Sequence, residues 1–364
     1  MRCRRRAVGK LALGWRPILK AVSQHLKGGN ARELAGEQEA TLVARPETGS
    51  RSTRWDLVMR LGLLGIILIL VVIFSVTAQG FLTLQNLDNN ARQMAVVGIL
   101  AVGETFVIIT AGIDLSVGSL LGFGGIIVAL GLAHNLPTLV AIMAVLVTAI
   151  AIGLLNGALI NAAALPPFIV TLGMLGILRG LTQILGNGQQ VGYDAPAFTN
   201  FAAGTTLGVP NLFWILALVC VVSGLFLHLT RRGRYMYAIG SNLESARRAG
   251  INTGASILTV YAISGLLAGI AGILLTARQA QGDPNAGTGY ELDAIAAAVL
   301  GGASLFGARG SIIGTFLGVT LVQIMTNGLN LLNFDPQVAR MLEGALLISF
   351  VYLDHWRKPK VAAA

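Results

Sequence analysis

The sequence predicts an all-α polytopic membrane protein of about ten transmembrane helices, on three observations. Hydrophobic residues make up 54% of the chain and charged residues 12%, about half the charge of a soluble domain. Between Leu115 and Leu178 there is no Asp, Glu, Lys or Arg, and that stretch holds nearly three spans at about 20 residues each. The positive charge is clustered. Thirteen of the 26 Lys and Arg fall in residues 1–60, and five more fall between Arg231 and Arg248, as in the cytoplasmic segments of membrane proteins. A mean hydropathy of +0.73 agrees. The net charge of +10 therefore reads as membrane topology, with membrane lipid as a partner and no nucleic acid.

Taken in order, residues 1–54 are polar and basic and read as a disordered cytoplasmic tail. An amphipathic surface helix over Leu11–Leu26 is the alternative there, with Trp15, Ile18, Leu19 and Val22 on one face. The transmembrane domain covers 55–356, with spans at 57–77, 92–112, 115–133, 138–160, 166–186, 211–230, 257–277, 290–306, 311–332 and 337–354. Pro137, Pro166–Pro167, Pro210, Asp283–Pro284 and Asp335–Pro336 punctuate the breaks. The eighth span has about a dozen uncharged residues after Asp293, so a full crossing and a re-entrant half-helix both remain open. With the N-terminus inside, the basic segments fall in the cytoplasm, while Asp88, Asp194, Asp283 and Asp335 lie outside. Both termini, including the tail 357–364, are then cytoplasmic and the span count is even.

Glycines at small-xxx-small spacing (Gly118/Gly122, Gly153/Gly157, Gly265/Gly269, Gly310/Gly314/Gly318) predict close helix packing. Cys3 and Cys220 imply no disulfide framework. There is no Gly-Lys-Ser/Thr, no Gly-x-Ser-x-Gly, and no metal-ligand spacing among the four histidines. No catalytic residue or metal ligand is expected.

Two segments carry candidate chemistry. In the loop Arg231–Gly250, Ser241-Asn-Leu-Glu244 reads as a capping box opening a short helix that ends at Gly250. Leu243, Ala246 and Ala249 would share a face, with Arg247 and Arg248 elsewhere. The helix is either a docking element or a basic anchor on the membrane surface. In 109–122, Asp114 and Ser116 interrupt two apolar runs. A carboxylate at membrane depth is costly and usually functional, while a cap from a loop at the start of the third span is the plainer account. Glu104, Asn156, Arg179, Gln183, Gln323 and Asn327 are further polar groups within spans. Of the polar residues, Glu104, Asp114, Ser116, Asn156, Gln183 and Asn327 are the pathway candidates. Glu343 is expected to neutralise Arg340, three residues earlier on the same helix.

These segments also carry a resemblance. Residues 103–123 (GETFVIITAGIDLSVGSLLGF), 237–252 (YAIGSNLESARRAGIN) leading into 263–278, and 292–318 (LDAIAAAVLGGASLFGARGSIIGTFLG) resemble the permease subunits of ATP-binding-cassette importers for monosaccharides, in that family's order. The resemblance covers about 56–356. It implies a bacterial inner-membrane importer with an ATPase partner, a periplasmic sugar-binding protein, and a second permease copy or a paralogue. This chain would bind no cofactor, ATP and Mg²⁺ residing on the ATPase. Within the coupling loop 231–256, the residues Ser241, Leu243, Glu244, Ala246, Arg247 and Gly250 would form a coupling helix. Glu244-Ser-Ala246 followed by Gly250 resembles the importers' Glu-Ala-Ala…Gly loop, with Ser245 in place of the middle Ala and the later Leu-Pro absent. The alternatives are a permease for a branched-chain amino acid, a nucleoside or autoinducer-2, and an ion-coupled secondary transporter.

Overall fold

The protein was analysed as a computed structural model, which describes residues 49–356, with side chains from 61 to 352. The surface helix expected at Leu11–Leu26, most of the 1–54 tail and the 357–364 tail lie outside the described residues. The chain divides into Met1–Trp55 and Asp56–Ala364.

Each expected span falls on a helix. The helices are α1 (Gly49–Thr77), α2 (Leu84–Ile109), α3 (Val117–Ala133), α4 (Thr138–Ala162), α5 (Pro167–Leu185), α6 (Pro196–Ala203), α7 (Asn211–Leu229), α8 (Arg231–Ser241), α9 (Leu243–Arg248), α10 (Thr253–Gln279), α11 (Tyr290–Leu300), α12 (Ile312–Leu331) and α13 (Pro336–Trp356). Among the described residues, α2, α4, α5, α7, α10 and α12 are long and apolar enough to cross a membrane. The described apolar part of α1, Leu61–Thr77, and α3 are shorter. The expected count of about ten therefore depends on α1, α3, α11 and α13 as well.

Most of α2, α10 and α12 is buried, whereas α4, α5 and α7 turn most of their length outward. Those outward faces are apolar: Leu139, Val140, Met143 and Val147 on α4, and Leu218, Val221, Val222 and Leu225 on α7. A helix that is apolar on both sides suits lipid on one face and protein on the other. α10 packs against α4, α3 and α2, and glycine sets how closely. A Cβ at Gly153 would strike the Tyr261 carbonyl, and one at Gly265 would strike the Ala149 carbonyl. Gly318 likewise lies against the Ala297 carbonyl of α11. These are the approaches that small-xxx-small spacing permits.

Two features interrupt the helical pattern. The first is the break at 110–116. α2 ends in a Schellman motif, with Ala111 N–H donating to Ile108 O (2.9 Å) and Gly112 N–H to Val107 O (3.0 Å). Ala111 takes the left-handed conformation at φ 61°. The second is the eighth crossing. After α10, a strand pair joins Val191↔Gly282 and Gly192↔Gln281. The chain then runs along α3 as a series of turns, closed by Ala286 N–H to Asp283 O (3.0 Å) and Tyr290 N–H to Gly287 O (3.3 Å), and the packing fixes its course: Gly282 lies against Ala129, Ala286 against Gly122, and Gly287 against Gly118. Gly272 of α10 sits level with Leu121 and Gly125. At 1.5 Å per residue, Gly118 and Gly287 therefore lie about 15 Å below the end of α10, half of a hydrocarbon core of about 30 Å. α11, with 11 residues, covers the other half at about 16 Å. The segment expected to hold the eighth span is thus a run of turns over 283–289 followed by the short helix α11.

Candidate functional site

The break at 110–116 is held by a buried polar cluster. Asp114 is 1% exposed. Its Oδ1 accepts from Ser116 N–H (3.0 Å) and Ser116 Oγ (2.5 Å), and its Oδ2 accepts from Ser264 Oγ of α10 (2.9 Å). Asn156 Nδ2 of α4 donates to Ser116 Oγ (3.0 Å). Thr171 Oγ1 of α5 donates to the Ile113 carbonyl (3.1 Å). One carboxylate thus ties the broken segment to α10 directly and to α4 through Ser116. By helix rise, Asn156 lies about 9 Å from the α4 end near the loop helices, and Ser264 about 16 Å into α10.

Glu104 joins the cluster from α2. It is fully buried, beside the Asp114 backbone amide and in the field of the Asp114 carboxylate. Among the described residues neither of its carboxyl oxygens is in hydrogen-bond geometry with the protein, and the same holds for Asn156 Oδ1 and Tyr261 O–H. The Tyr261 hydroxyl lies over Gly112, 2.7 Å from where a Cβ would stand. Buried polar atoms without protein partners are where ordered water or a polar solute is favoured. The expected residues Glu104, Asp114, Ser116 and Asn156 are thus brought together. Ser264 and Tyr261 complete the group but carry no sequence signal of their own, being an ordinary serine and tyrosine in a glycine-rich span.

The other two candidates lie elsewhere. Gln183 Nε2 donates to Asn285 Oδ1 (2.9 Å) in the run of turns before α11. Asn327 and Asn86 exchange amide hydrogen bonds of 2.9 Å between α12 and α2. Arg179 Nη1 of α5 donates to the Ala286 carbonyl (2.6 Å), satisfying a backbone group of that turn segment. At the same end, Tyr193 O–H donates to Thr276 O (2.9 Å), and burial pushes its phenol up to about 12. Glu343 does not pair with Arg340 as expected. It accepts from Thr326 Oγ1 (2.9 Å) and hydrogen-bonds Asp293 across from α11, because the α13 face that carries it packs on α11 and α12. A cavity of about 410 Å³ lies between α4, α6, α7 and α10, and none of the six pathway candidates lines it. Ile142, Leu146, Phe198, Ile273 and Leu274 line it, leaving a polar solute little to bond.

The loop helix forms with one correction. Ser241 is the last residue of α8, and Asn242 is the cap of α9, its Oδ1 accepting from Ser245 N–H (2.8 Å). Ser and Asn are equally good caps, so the sequence admitted two registers one residue apart. Glu244, displaced from the capping box, pairs with Arg248 (3.3 Å) on the surface. Gly250 ends the helix as expected at φ 80°. Its N–H donates to Arg247 O (3.0 Å), and Ile251 N–H donates to Ala246 O (3.1 Å), a Schellman closure. Ala246 is buried while Leu243 stays 40% exposed, and Ala249 is also exposed, so the expected shared face is only partly covered. Arg247 Nε donates to Thr253 Oγ1 (3.1 Å), linking α9 to the start of α10.

α8 connects this helix to the break. Gly240 lies directly on the Ile109 carbonyl, the last of α2. That carbonyl accepts from Ala308 N–H (2.9 Å). Tyr237 O–H donates to the Gly310 carbonyl (2.8 Å). One face of α8 therefore touches both the end of α2 and the loop joining α11 to α12.

The family model described as branched-chain amino acid transport system / permease component matches residues 86–351. The ribose import permease protein RbsC of Escherichia coli (strain K12) is 42% identical over 293 residues, 79% of this chain and 91% of that protein. RbsC of Bacillus subtilis (strain 168) is 38% identical over 85% of this chain and 97% of its own length. The D-allose transport system permease protein AlsC of Escherichia coli (strain K12) is 37% identical over 82% and 92%. No solved structure matches. With a family match across most of its length and relatives covered almost end to end, the chain belongs to the branched-chain amino acid transport system / permease component family of polytopic helical permeases.

Proposed function

We propose that this chain is the membrane-spanning subunit of an ATP-driven importer that carries a monosaccharide from a periplasmic binding protein to the cytoplasm. The observation that carries this reading is the similarity, over about nine-tenths of their length, to permeases named for ribose and allose. Both termini are cytoplasmic, the membrane is the bacterial inner membrane, and a second copy or a paralogue completes the pathway. ATP and Mg²⁺ act on a separate ATPase chain, which docks on α9.

The cycle is alternating access. Closure of the ATPase dimer moves α9, and α8 carries the motion to the Ile109 carbonyl and the Ala308 loop. The break at 110–116 then repacks against α4, α5 and α10. Glu104, Asp114, Ser116 and Asn156 line the cytoplasmic half of the path, and Gln183 the periplasmic half; Asn327 braces α12 against α2 at that end. No covalent step occurs in this chain. Transport follows from the different solute affinities of the inward- and outward-open states.

The family model's description names a branched-chain amino acid, so an amino-acid permease is the second reading. The charges at the start of α11 oppose it. Glu291 and Asp293 occupy the first turn, where a half-helix would otherwise attract a solute carboxylate.

Detergent pull-down tests the docking role. The tagged chain is expected to retain an ATP-binding protein. Leu243→Asp, an exposed change that leaves the fold intact, is expected to release it. Retention unaffected by Leu243→Asp, or no ATP-binding protein at all, contradicts the reading.

A further inference from the structure

The run of turns over 283–289 is non-helical backbone packed along α3. Non-helical backbone at membrane depth is tolerated only where protein covers it or water reaches it. Pro284 and Gly287 are buried, but Asn285 and Thr288, between and beside them, are exposed. Gly287 lies about half-way down the α10 helix by the packing described above. Two polar side chains therefore stand uncovered at mid-bilayer depth, where lipid contact is costly.

The groups around them make a consistent set. Gln183 Nε2 donates to Asn285 Oδ1 (2.9 Å), leaving the Gln183 carbonyl and the Asn285 NH₂ for a solute. Thr288 Oγ donates to the Asn285 carbonyl (2.7 Å), and its oxygen remains an acceptor. Glu291 Oε1 accepts from Gly289 N–H (3.3 Å) at the start of α11. Three cations lie near this point among the described residues: Arg179, and Arg278 and Arg340, which act on Tyr290 at the start of α11. Arg179 is the one hydrogen-bonded to the segment. Its guanidinium is committed to the Ala286 carbonyl and lies in the fields of Glu291 and Asp283. Asp293 is one turn away, hydrogen-bonded to Glu343 and in the field of Arg340. The half-helix end is thus already occupied by a carboxylate of the chain, Glu291, whose Oε1 sits on the Gly289 amide.

We propose that the face carrying Asn285 and Thr288, with Gln183 and Glu291 beside it, is the solute-contacting step of the pathway, made for a neutral polyhydroxylated solute and closed to carboxylates and phosphates. The amides and the hydroxyl supply partners for sugar hydroxyls. Glu291 blocks the amide end that an anion would use and repels its charge. The proposal rests on the importer reading and adds to it the selecting residues and the sign of the filter.

Thiol labelling tests it on the full chain assembled with its ATPase, with Cys3 and Cys220 replaced by serine and single Asn285→Cys or Thr288→Cys changes introduced. The probes are cationic trimethylammonioethyl and anionic sulfonatoethyl methanethiosulfonates, and Val147→Cys on the lipid-facing side of α4 is the control. Both pathway thiols are expected to react while the control does not, the cationic reagent about tenfold or more faster. Glu291→Gln is expected to bring the two rates together. D-ribose is expected to slow labelling and D-ribonate, of equal carbon count, to leave it unchanged. Silence at both positions overturns the proposal, because the face is then covered by a second copy or by lipid. Equal rates for the two reagents overturn the filter. ATP-driven uptake by the unsubstituted assembly is measured alongside. Its loss contradicts the importer reading, whereas the labelling pattern bears on the selecting face alone.

Discussion

Gly240→Ala is the sharpest perturbation of the link between the loop helix and the broken span. An added methyl would sit on the Ile109 carbonyl oxygen and 2.6 Å from the Ala308 backbone nitrogen. Both are backbone atoms, so neither can rotate away as a side-chain tip would. The two are themselves hydrogen-bonded at 2.9 Å, and Gly307 closes the other side, placed 2.6 Å from the Gly240 carbonyl when given a Cβ. Overpacking of this kind costs about 1–3 kcal/mol, and parting a partly buried N–H and C=O adds about 1–3 kcal/mol. The expected loss is therefore about 2–6 kcal/mol, or about 3–10 °C in a fluorescence melting curve in detergent. In the assembled transporter, uptake per ATP hydrolysed is expected to fall while hydrolysis persists. Gly224→Ala on α7 is the control, since nothing lies within 4 Å of its added methyl. If Gly240→Ala melts with the parent and transports at the parental ratio, the joint at Ile109 does not carry the motion.

Two further changes separate the account from its neighbours. Asn242→Ala removes the α9 cap and is expected to cost about 0.5–2 kcal/mol, weakening ATPase binding several-fold in a titration, while Ser241→Ala leaves it unchanged; the reverse order would restore Ser241 as the cap. Asp114→Ala strands Ser116 N–H, Ser116 Oγ and Ser264 Oγ and is expected to destabilise by at least about 3 kcal/mol. Ser264→Ala is expected to cost about a third of that on the same melting curve.

The helices were legible because their signal is local. Every expected span falls on a helix, and Pro137, Pro166–Pro167, Pro210 and Asp335–Pro336 bound them within a few residues. The break at Asp114 was legible for the same reason, a carboxylate between two apolar runs. What could not be read depends on distant partners. The turn segment 283–289 has no hydrophobic period, and its place along α3 emerges only from packing on Gly118 and Gly122. Ser264 meets Asp114 across 150 positions of sequence, and Asn327 meets Asn86 across 241. The misplaced cap at Ser241 has a different origin: Ser241 and Asn242 are chemically equivalent starts, and the choice falls to the geometry of α8 ending one residue earlier.

The central claim is that ATP on a partner chain drives a neutral sugar through this one. Uptake of radiolabelled D-ribose and D-allose into proteoliposomes holding the full assembly, with ATP enclosed on the ATPase side and every ion gradient collapsed by ionophores, tests it most directly. The account predicts binding-protein-dependent accumulation of at least one sugar that stops when ATP is replaced by a non-hydrolysable analogue. Accumulation that ignores ATP and follows a sodium or proton gradient would contradict it.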